Sequence, residues 1–300
     1  HWRQKDESSY AGSIQRFEAK AVTNVMFRQL ESLSKLECDV LERLRDSLAA
    51  QKHVCVAYSG GVDSSLVAAI AHEQLGEQAL AITGVSPSLA PHLLVEARQQ
   101  ATWLGMRHQE VSTLELEDPS YTSNPQDRCY ACKRELHRHL APIAAEANGA
   151  LVLDGVNQDD LGDHRPGIAA AKEAGVRSPL AELGMTKATI RRLSWALGFP
   201  WWDKPAQPCL ASRFPYGESI SSERLQRVGQ AEAWLIQHGF DQVRVRSHGL
   251  AARVEVPEER IADLLQPLLR RELVKTLLSQ GFTSVSVDVE GLVSGKLNRV

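Results

Sequence analysis

The chain predicts an α/β fold: a parallel sheet wrapped by helices, followed by a smaller C-terminal α/β unit. Three observations carry this expectation. Short apolar, β-branched runs of strand length recur along the chain, amphipathic stretches of helical length separate them, and the first such run ends in a Gly-Gly turn where the next helix begins. Leu36, Val40, Leu41, Leu44 and Leu48 recur at helical spacing and predict a helix that packs ahead of the first strand. The alternation then predicts strand 53–58, helix 62–75, strand 79–85, helix 91–104, strand 107–111, a helix from about 129 to 147, strand 150–154 and a helix near 186–197. Residues 112–128 are polar and rich in turn formers, as a mobile active-site segment would be. A Trp- and Pro-rich linker runs from Phe199-Pro200-Trp201-Trp202 to Pro215-Tyr216-Gly217. Beyond it, helix 221–238, strands 241–247 and 251–256, helices across 257–280 and strand 283–289 form the second unit. The expected division is an extension over 1–35, a nucleotide-binding domain over 36–205 and a C-terminal domain over 206–300.

Size and charge narrow the function. With 300 residues, 43% of them apolar, the chain has ample core for one large or two medium domains. A net charge of −3 without a long basic run offers no electrostatic grip on a nucleic-acid backbone, so an RNA partner is disfavoured. No apolar run has membrane-spanning length, and the polar opening His1 to Lys20 has no secretory apolar core, so a cytoplasmic protein without a membrane partner is expected.

The first strand, Val54-Cys55-Val56-Ala57-Tyr58, leads into Ser59-Gly60-Gly61-Val62-Asp63-Ser64-Ser65 and then into the helix. A buried strand entering such a turn aims backbone N–H groups and the positive end of the helix dipole at one point, which makes the loop a phosphate cradle. Gly60 and Gly61 allow positive φ and close approach, and the hydroxyls of Ser59, Ser64 and Ser65 add donors. A Walker loop would carry a lysine, and this loop has none. Asp63 has two readings: a carboxylate that complements the helix dipole, or a ligand of the Mg²⁺ that travels with pyrophosphate. Asp154 ends a strand at the ligand edge of the sheet, where it could orient nucleotide or metal or simply cap the following loop.

Five cysteines without an export signal favour thiols or metal ligands over disulfides. Cys38 and Cys55 fall inside predicted elements and read as small buried hydrophobes. Cys129 and Cys132 form a C-x₂-C pair, and Cys209 lies in the later loop Pro208-Cys209-Leu210-Ala211-Ser212-Arg213. Inert thiols, a redox pair, a zinc site completed by a histidine such as His137 or His164, and an iron–sulfur cluster all remain open on these residues.

The Ser59–Ser65 run resembles the SGGxDS loop of the PP-loop ATP pyrophosphatases, of adenine nucleotide alpha hydrolase-like fold. Leu153-Asp154-Gly155-Val156-Asn157, Asp163-His164-Arg165-Pro166-Gly167, Ser212-Arg213-Phe214-Pro215-Tyr216-Gly217, Val243-Arg244-Val245-Arg246 with Ala252-Arg253-Val254-Glu255, and Gly295-Lys296-Leu297-Asn298 together resemble the LarE family, from about residue 36 to the C-terminus. That resemblance implies an ATP-dependent sulfurtransferase of nickel-pincer nucleotide synthesis. It would adenylate a carboxylate of pyridinium-3,5-biscarboxylic acid mononucleotide and replace an oxygen by sulfur.

The resemblance favours Asp63 as the Mg²⁺ ligand and the Ser59–Ser65 loop as the holder of ATP pyrophosphate. It places Arg213, Arg244 and Arg246 on substrate phosphate or carboxylate, where Arg244 and Arg246 share one side of a strand. Lys133 is a further candidate for the acyl phosphate. Glu232 and Asp263 match positions of an auxiliary metal, although both fall on predicted polar helix faces, where ordinary surface carboxylates also sit. Some family members sacrifice one cysteine as sulfur donor, and others carry a three-cysteine [4Fe-4S] cluster that binds sulfide. Cys129, Cys132 and Cys209 match the cluster type, and Cys209 stands in the loop of the sacrificial residue. The implied partners are a sulfide or sulfur donor, the other nickel-pincer enzymes, and copies of the same chain in a homo-oligomer, by resemblance a hexamer. Two rivals stay in view: another PP-loop adenylating enzyme such as a tRNA thiolase, and a nucleotide-sensing module without chemistry.

Overall fold

The computed structural model describes residues 30–162, 166–293, 295, 296 and 299; Asp163, His164, Arg165, Leu297 and Asn298 of the motifs above lie outside them. The first helix, α1 (Lys35–Ala49), opens with a capping box in which Ser34 accepts from the Glu37 N–H and the Glu37 carboxylate accepts from the Ser34 N–H. Then follow β1 (Val54–Ala57), α2 (Val62–Leu75), β2 (Ala79–Val85), α3 (Pro91–Leu104) and β3 (Arg107–Ser112). After two short helical turns come α5 (Arg128–Glu146), β4 (Leu151–Leu153), α6 (Pro166–Glu173), α7 (Pro179–Glu182) and α8 (Lys187–Ala196), with α4 (Pro119–Thr122) the second of those turns. The four strands form a parallel sheet in the order β3-β2-β1-β4. The expected α/β architecture is present, with strand ends within a few residues of those read from the sequence.

β1 explains why the sheet must be covered twice. Its four residues are all buried: Val54 and Val56 join a core with Leu44, Leu48, Leu66, Ile70 and Leu193, whereas Cys55 and Ala57 face Leu140 and Ala144 of α5. Alternate side chains therefore meet helices on opposite faces, as a parallel sheet requires. The arrangement fixes the carboxyl ends of β1, β2, β3 and β4 along one edge, where the loops of interest emerge.

The second unit contains α9 (Ser222–Gln237), β5 (Arg244–His248), β6 (Ala251–Glu255), α10 (Ile261–Leu264), α11 (Pro267–Ser279) and β7 (Ser284–Val287). Its sheet runs β5-β6-β7, antiparallel in the first pair and parallel in the second. Its core, centred on Phe214, Leu225, Leu235, Val245 and Val254, also draws in Ala90, Leu93, Tyr121 and Ala131 from the earlier part of the chain.

Two expectations need correction here. Residues 112–128, read as a mobile segment, are folded: Glu115, Tyr121 and Asn124 are buried, Asn124 Nδ2 donates to Pro215 O at 2.7 Å, and Ile220 N donates to Thr122 O at 2.8 Å. Trp201, placed by the sequence in a linker, belongs to the first core, its ring 5.3 Å from that of Trp103, while Trp202 lies exposed beside Trp195. Among the described residues no helix is long and apolar enough to cross a membrane.

His137 gives the fold an acid sensitivity. Its ring is buried on α5 with neither nitrogen hydrogen-bonded, and burial, helped by the Lys133 charge, pushes its pKa down to about 4. The unfolded ring takes up a proton near its ordinary value, so this contribution is complete above that value and is lost as pH falls toward 4, to a limit of about 3 kcal/mol. His137→Leu is expected to flatten the acid limb of a melting-temperature profile; an unchanged limb would assign the sensitivity elsewhere.

Candidate functional site

Ser59 to Ser65 form a tight turn closed by their own hydroxyls. Ser64 Oγ accepts from the Ser59 N–H at 3.2 Å and donates to Gly61 O at 3.2 Å, and Ser59 Oγ accepts from the Gly61 N–H at 3.3 Å. Gly60 sits at φ +68°, in the left-handed region, where a Cβ would also press against Ala97 at 3.2 Å. The Gly60 carbonyl accepts from Gln100 Nε2 and Lys204 Nζ, both at 3.1 Å. Gly61 caps α2 without a side-chain bond, so the first amides of the helix are left for a ligand.

Gln100 is fully buried and ties the loop to its surroundings, its Oε1 accepting from Tyr58 Oη at 2.8 Å and Ser65 Oγ at 3.1 Å. Sequence reasoning missed it, because a glutamine in an amphipathic helix carries no signal of burial. It also missed two lysines that the fold brings to the lysine-free loop. Lys187 Nζ pairs with Asp63 Oδ2, and Lys204 Nζ pairs with Glu96 at 2.6 Å while holding Gly60 O. Asn157 Nδ2 approaches the other Asp63 oxygen at 3.5 Å.

The loop after β4 lies directly on the cradle. A Cβ built on Gly155 would stand 2.6 Å from Ser64 N and 2.9 Å from Ser64 Cα, so only glycine lets the two backbones pass. Asp154 is buried, which raises its pKa, and Oδ1 accepts from the Val156 N–H at 3.1 Å, capping that loop. Lys133, exposed on α5, is near enough for its charge to lower the pKa values of Asp154, Cys132 and His137.

The five cysteines are thiols, and Cys129 and Cys209 are near enough to Cys132 for their charges to act on it. Cys132 and Cys209 pack against the second core, and burial pushes the Cys132 thiol up to about 12, with further upward contributions from Glu115, Cys209 and Cys129. The Cys209 loop is held to the β2 end by Leu210 N, which donates to Ser88 O at 2.8 Å. Among the described residues no three His, Cys, Asp or Glu side chains are placed to hold a metal ion as they stand. The donor chemistry nevertheless fits an iron–sulfur core: thiols are soft ligands, Cys132 is desolvated so that its thiol is held protonated, and a cationic core bound there would reverse that penalty.

The arginines divide into two kinds. Arg213, 3% exposed, forks onto Glu232 through Nε at 2.8 Å and Nη2 at 3.0 Å, while Nη1 donates to Pro208 O, Cys209 O and Ser212 Oγ. Arg246 is likewise buried, on Glu255 at 2.6 Å and Ser212 O at 3.0 Å. Arg244 is half-buried and makes no ion pair among the described residues, and burial plus the Arg213 and Arg246 charges lower its pKa. It is the cation of the three best placed to welcome an anion.

Glu232, expected on a polar helix face, is instead 2% exposed and also accepts from the Val245 N–H at 2.9 Å, because Arg213 compensates its charge inside the core. Asp263 does lie exposed, paired with Arg260 one turn away at 2.8 Å. Close by, Pro215, Arg246, His248, Arg253 and Lys296 line a cavity of about 180 Å³, whose cations rest on Glu255 and Asp288.

Comparison with known proteins matches this architecture. Residues 39–119 match the asparagine synthase family. The chain is 55% identical over 87% of its length to an uncharacterized protein of Synechocystis sp., covering 97% of that relative. It is 37% identical over 82% of its length to the pyridinium-3,5-bisthiocarboxylic acid mononucleotide synthase of Lactiplantibacillus plantarum, covering 89% of it. A tRNA-specific 2-thiouridylase of Rickettsia felis is 28% identical over 64% of the chain and 62% of its own length.

Proposed function

The chain belongs to the LarE family, and from that membership we propose that it converts a carboxylate of pyridinium-3,5-biscarboxylic acid mononucleotide into a thiocarboxylate at the expense of ATP, in nickel-pincer nucleotide synthesis. It is an ATP-using sulfurtransferase of the PP-loop class. The observation that supports the specific reading is an anion cradle with Gly155 packed on Ser64, together with Lys133, whose charge acts on both Asp154 and Cys132, and Cys129 and Cys209, whose charges act on Cys132.

A carboxylate resists attack because its charge repels nucleophiles and oxide is a poor leaving group. Adenylation removes both obstacles. The Ser59–Ser65 amides hold the departing pyrophosphate, Asp63 would take the accompanying Mg²⁺, and Arg244 holds the anionic mononucleotide. Lys133 faces the acyl phosphate, and AMP leaves as sulfur bonds to the acyl carbon. Cys129, Cys132 and Cys209 would hold a [4Fe-4S] cluster, which when bound presents a sulfide at its iron without a protein ligand. Arg213 keeps the Cys209 carbonyl, and with it the loop, in place during that step.

Pyrophosphate release that requires the pyridinium mononucleotide is the expected result; ATP binding without such release would sink the transferase reading. Anaerobic preparation is expected to give about four irons with matching acid-labile sulfide, and Cys129→Ala to lose them. The polypeptide mass should not change on turnover. A loss of roughly 34 Da with dehydroalanine at Cys209 would instead establish the sacrificial route.

A further inference from the structure

The cradle carries no lysine of its own, yet an ammonium group lies on it. Lys187, the first residue of α8, reaches Asp63 from 124 positions away in the chain. Its backbone is pinned, since Lys187 N donates to Asp159 Oδ2 at 2.8 Å and Thr186 caps the helix through the Thr189 N–H. The side chain is thus delivered from a fixed base, and the ion pair stays open to solvent, 31% on the lysine and 21% on the aspartate. Lys204 differs. Its side chain is 11% exposed and held by Gly60 O and Glu96, bonded to the loop's backbone and not to Asp63.

We infer that Lys187 is a catalytic residue of adenylation: it holds Asp63 while the cradle is empty and moves to the β-phosphate of Mg-bound ATP, where it stabilises the leaving pyrophosphate. The inference rests on the reading of this loop as the site of ATP cleavage. Charge drives the exchange. A divalent cation and an ammonium group repel each other on one carboxylate, so metal binding to Asp63 would free Lys187 for the bound triphosphate. As the substrate carboxylate oxygen bonds to the α-phosphorus, the bond from that phosphorus to the bridging oxygen breaks and its electron pair leaves with pyrophosphate. Lys187 donates an N–H···O hydrogen bond to the charge that builds up there, and no proton changes hands. A contact that strengthens only as this charge develops raises kcat more than it tightens ATP binding.

Lys187→Met and Lys187→Arg test this in the full chain. With the pyridinium mononucleotide as substrate, Lys187→Met is expected to slow pyrophosphate release by about 10²-fold with a smaller change in KM for ATP. Calorimetry without that substrate should show weaker binding of magnesium pyrophosphate, unchanged binding of AMP and an unchanged melting temperature, and Lys187→Arg should recover most of the pyrophosphate affinity. Wild-type pyrophosphate affinity and release in Lys187→Met would overturn the inference. So would an equal loss of AMP and pyrophosphate binding, which marks a residue that merely shapes the loop. Because the binding arm needs no pyridinium substrate, a parent protein that binds pyrophosphate but never turns over would count against the family reaction, and the calorimetry would still decide the role of Lys187.

Discussion

Gly155→Ala is expected to slow ATP-dependent pyrophosphate release by about 10²-fold while leaving the protein folded. β4 pairs with β1 in parallel register, Val54 with Leu151 and Val56 with Leu153, so the chain segments that leave the two strands travel side by side. Two residues beyond the pairing, Gly155 meets the start of α2, and a methyl group there would lie 2.6 Å from Ser64 N and 3.1 Å from Asp63 C. Neither neighbour is a side-chain tip that can swing aside. α2 is itself locked, with Leu66, Val67, Ala69, Ile70 and Ala71 wholly inaccessible to solvent. Relief must come from the turn, by moving the amides that bind phosphate. Misplacing such donors by about 1 Å costs on the order of 10²-fold in rate, whereas overpacking of this kind costs the fold about 1–3 kcal/mol. Calorimetry of ATP binding with melting curves alongside checks both halves. Wild-type ATP affinity in Gly155→Ala would show that the two backbones have more slack than the geometry allows.

Much of this was legible in the sequence, and the boundary has a physical cause. Parallel strands buried on both faces read as short apolar runs, so Val54–Ala57 and Ala79–Val85 announced themselves. The Ser59–Ser65 turn did so because its chemistry is local, each donor lying within seven residues of the others. Contacts made across the chain left no such trace. Lys187 and Lys204 sit in stretches that look like solvated helix and linker, and only the packing of α8 against α2, through Leu193 and Ile190 with Leu66 and Ile70 in one core, carries the first of them to Asp63. Glu232 misled for the same reason. Helical periodicity assigns a carboxylate to the wet face, but Arg213, 19 residues earlier, makes the buried position tolerable. Residues 112–128 have the composition of a loose loop, yet Tyr121 fills the second core and Asn124, at φ +53°, turns the backbone so that its amide reaches Pro215.

Glu232→Gln is expected to destabilise the protein by about 3–5 kcal/mol, because it strands a guanidinium in a site where both partners are 3% exposed. At this chain length that corresponds to a fall of roughly 10 °C in melting temperature. Replacing both partners, as in Arg213→Met with Glu232→Leu, should recover much of the loss, since no charge is then left uncompensated. The function would not follow. Arg213 Nη1 also donates to Pro208 O at 2.9 Å and Cys209 O at 3.3 Å, bonds that methionine cannot make, so the double variant frees the loop that presents Cys209. It should therefore bind ATP and magnesium pyrophosphate as the parent does, and release pyrophosphate with the mononucleotide, yet form little thiocarboxylate. That pattern separates a strut from a substrate cation. Were Arg213 a phosphate ligand, its loss would appear first as a raised KM for the mononucleotide, in the same step that releases pyrophosphate; with Arg213 as the strut of the sulfur loop, adenylation persists and the transfer that follows fails.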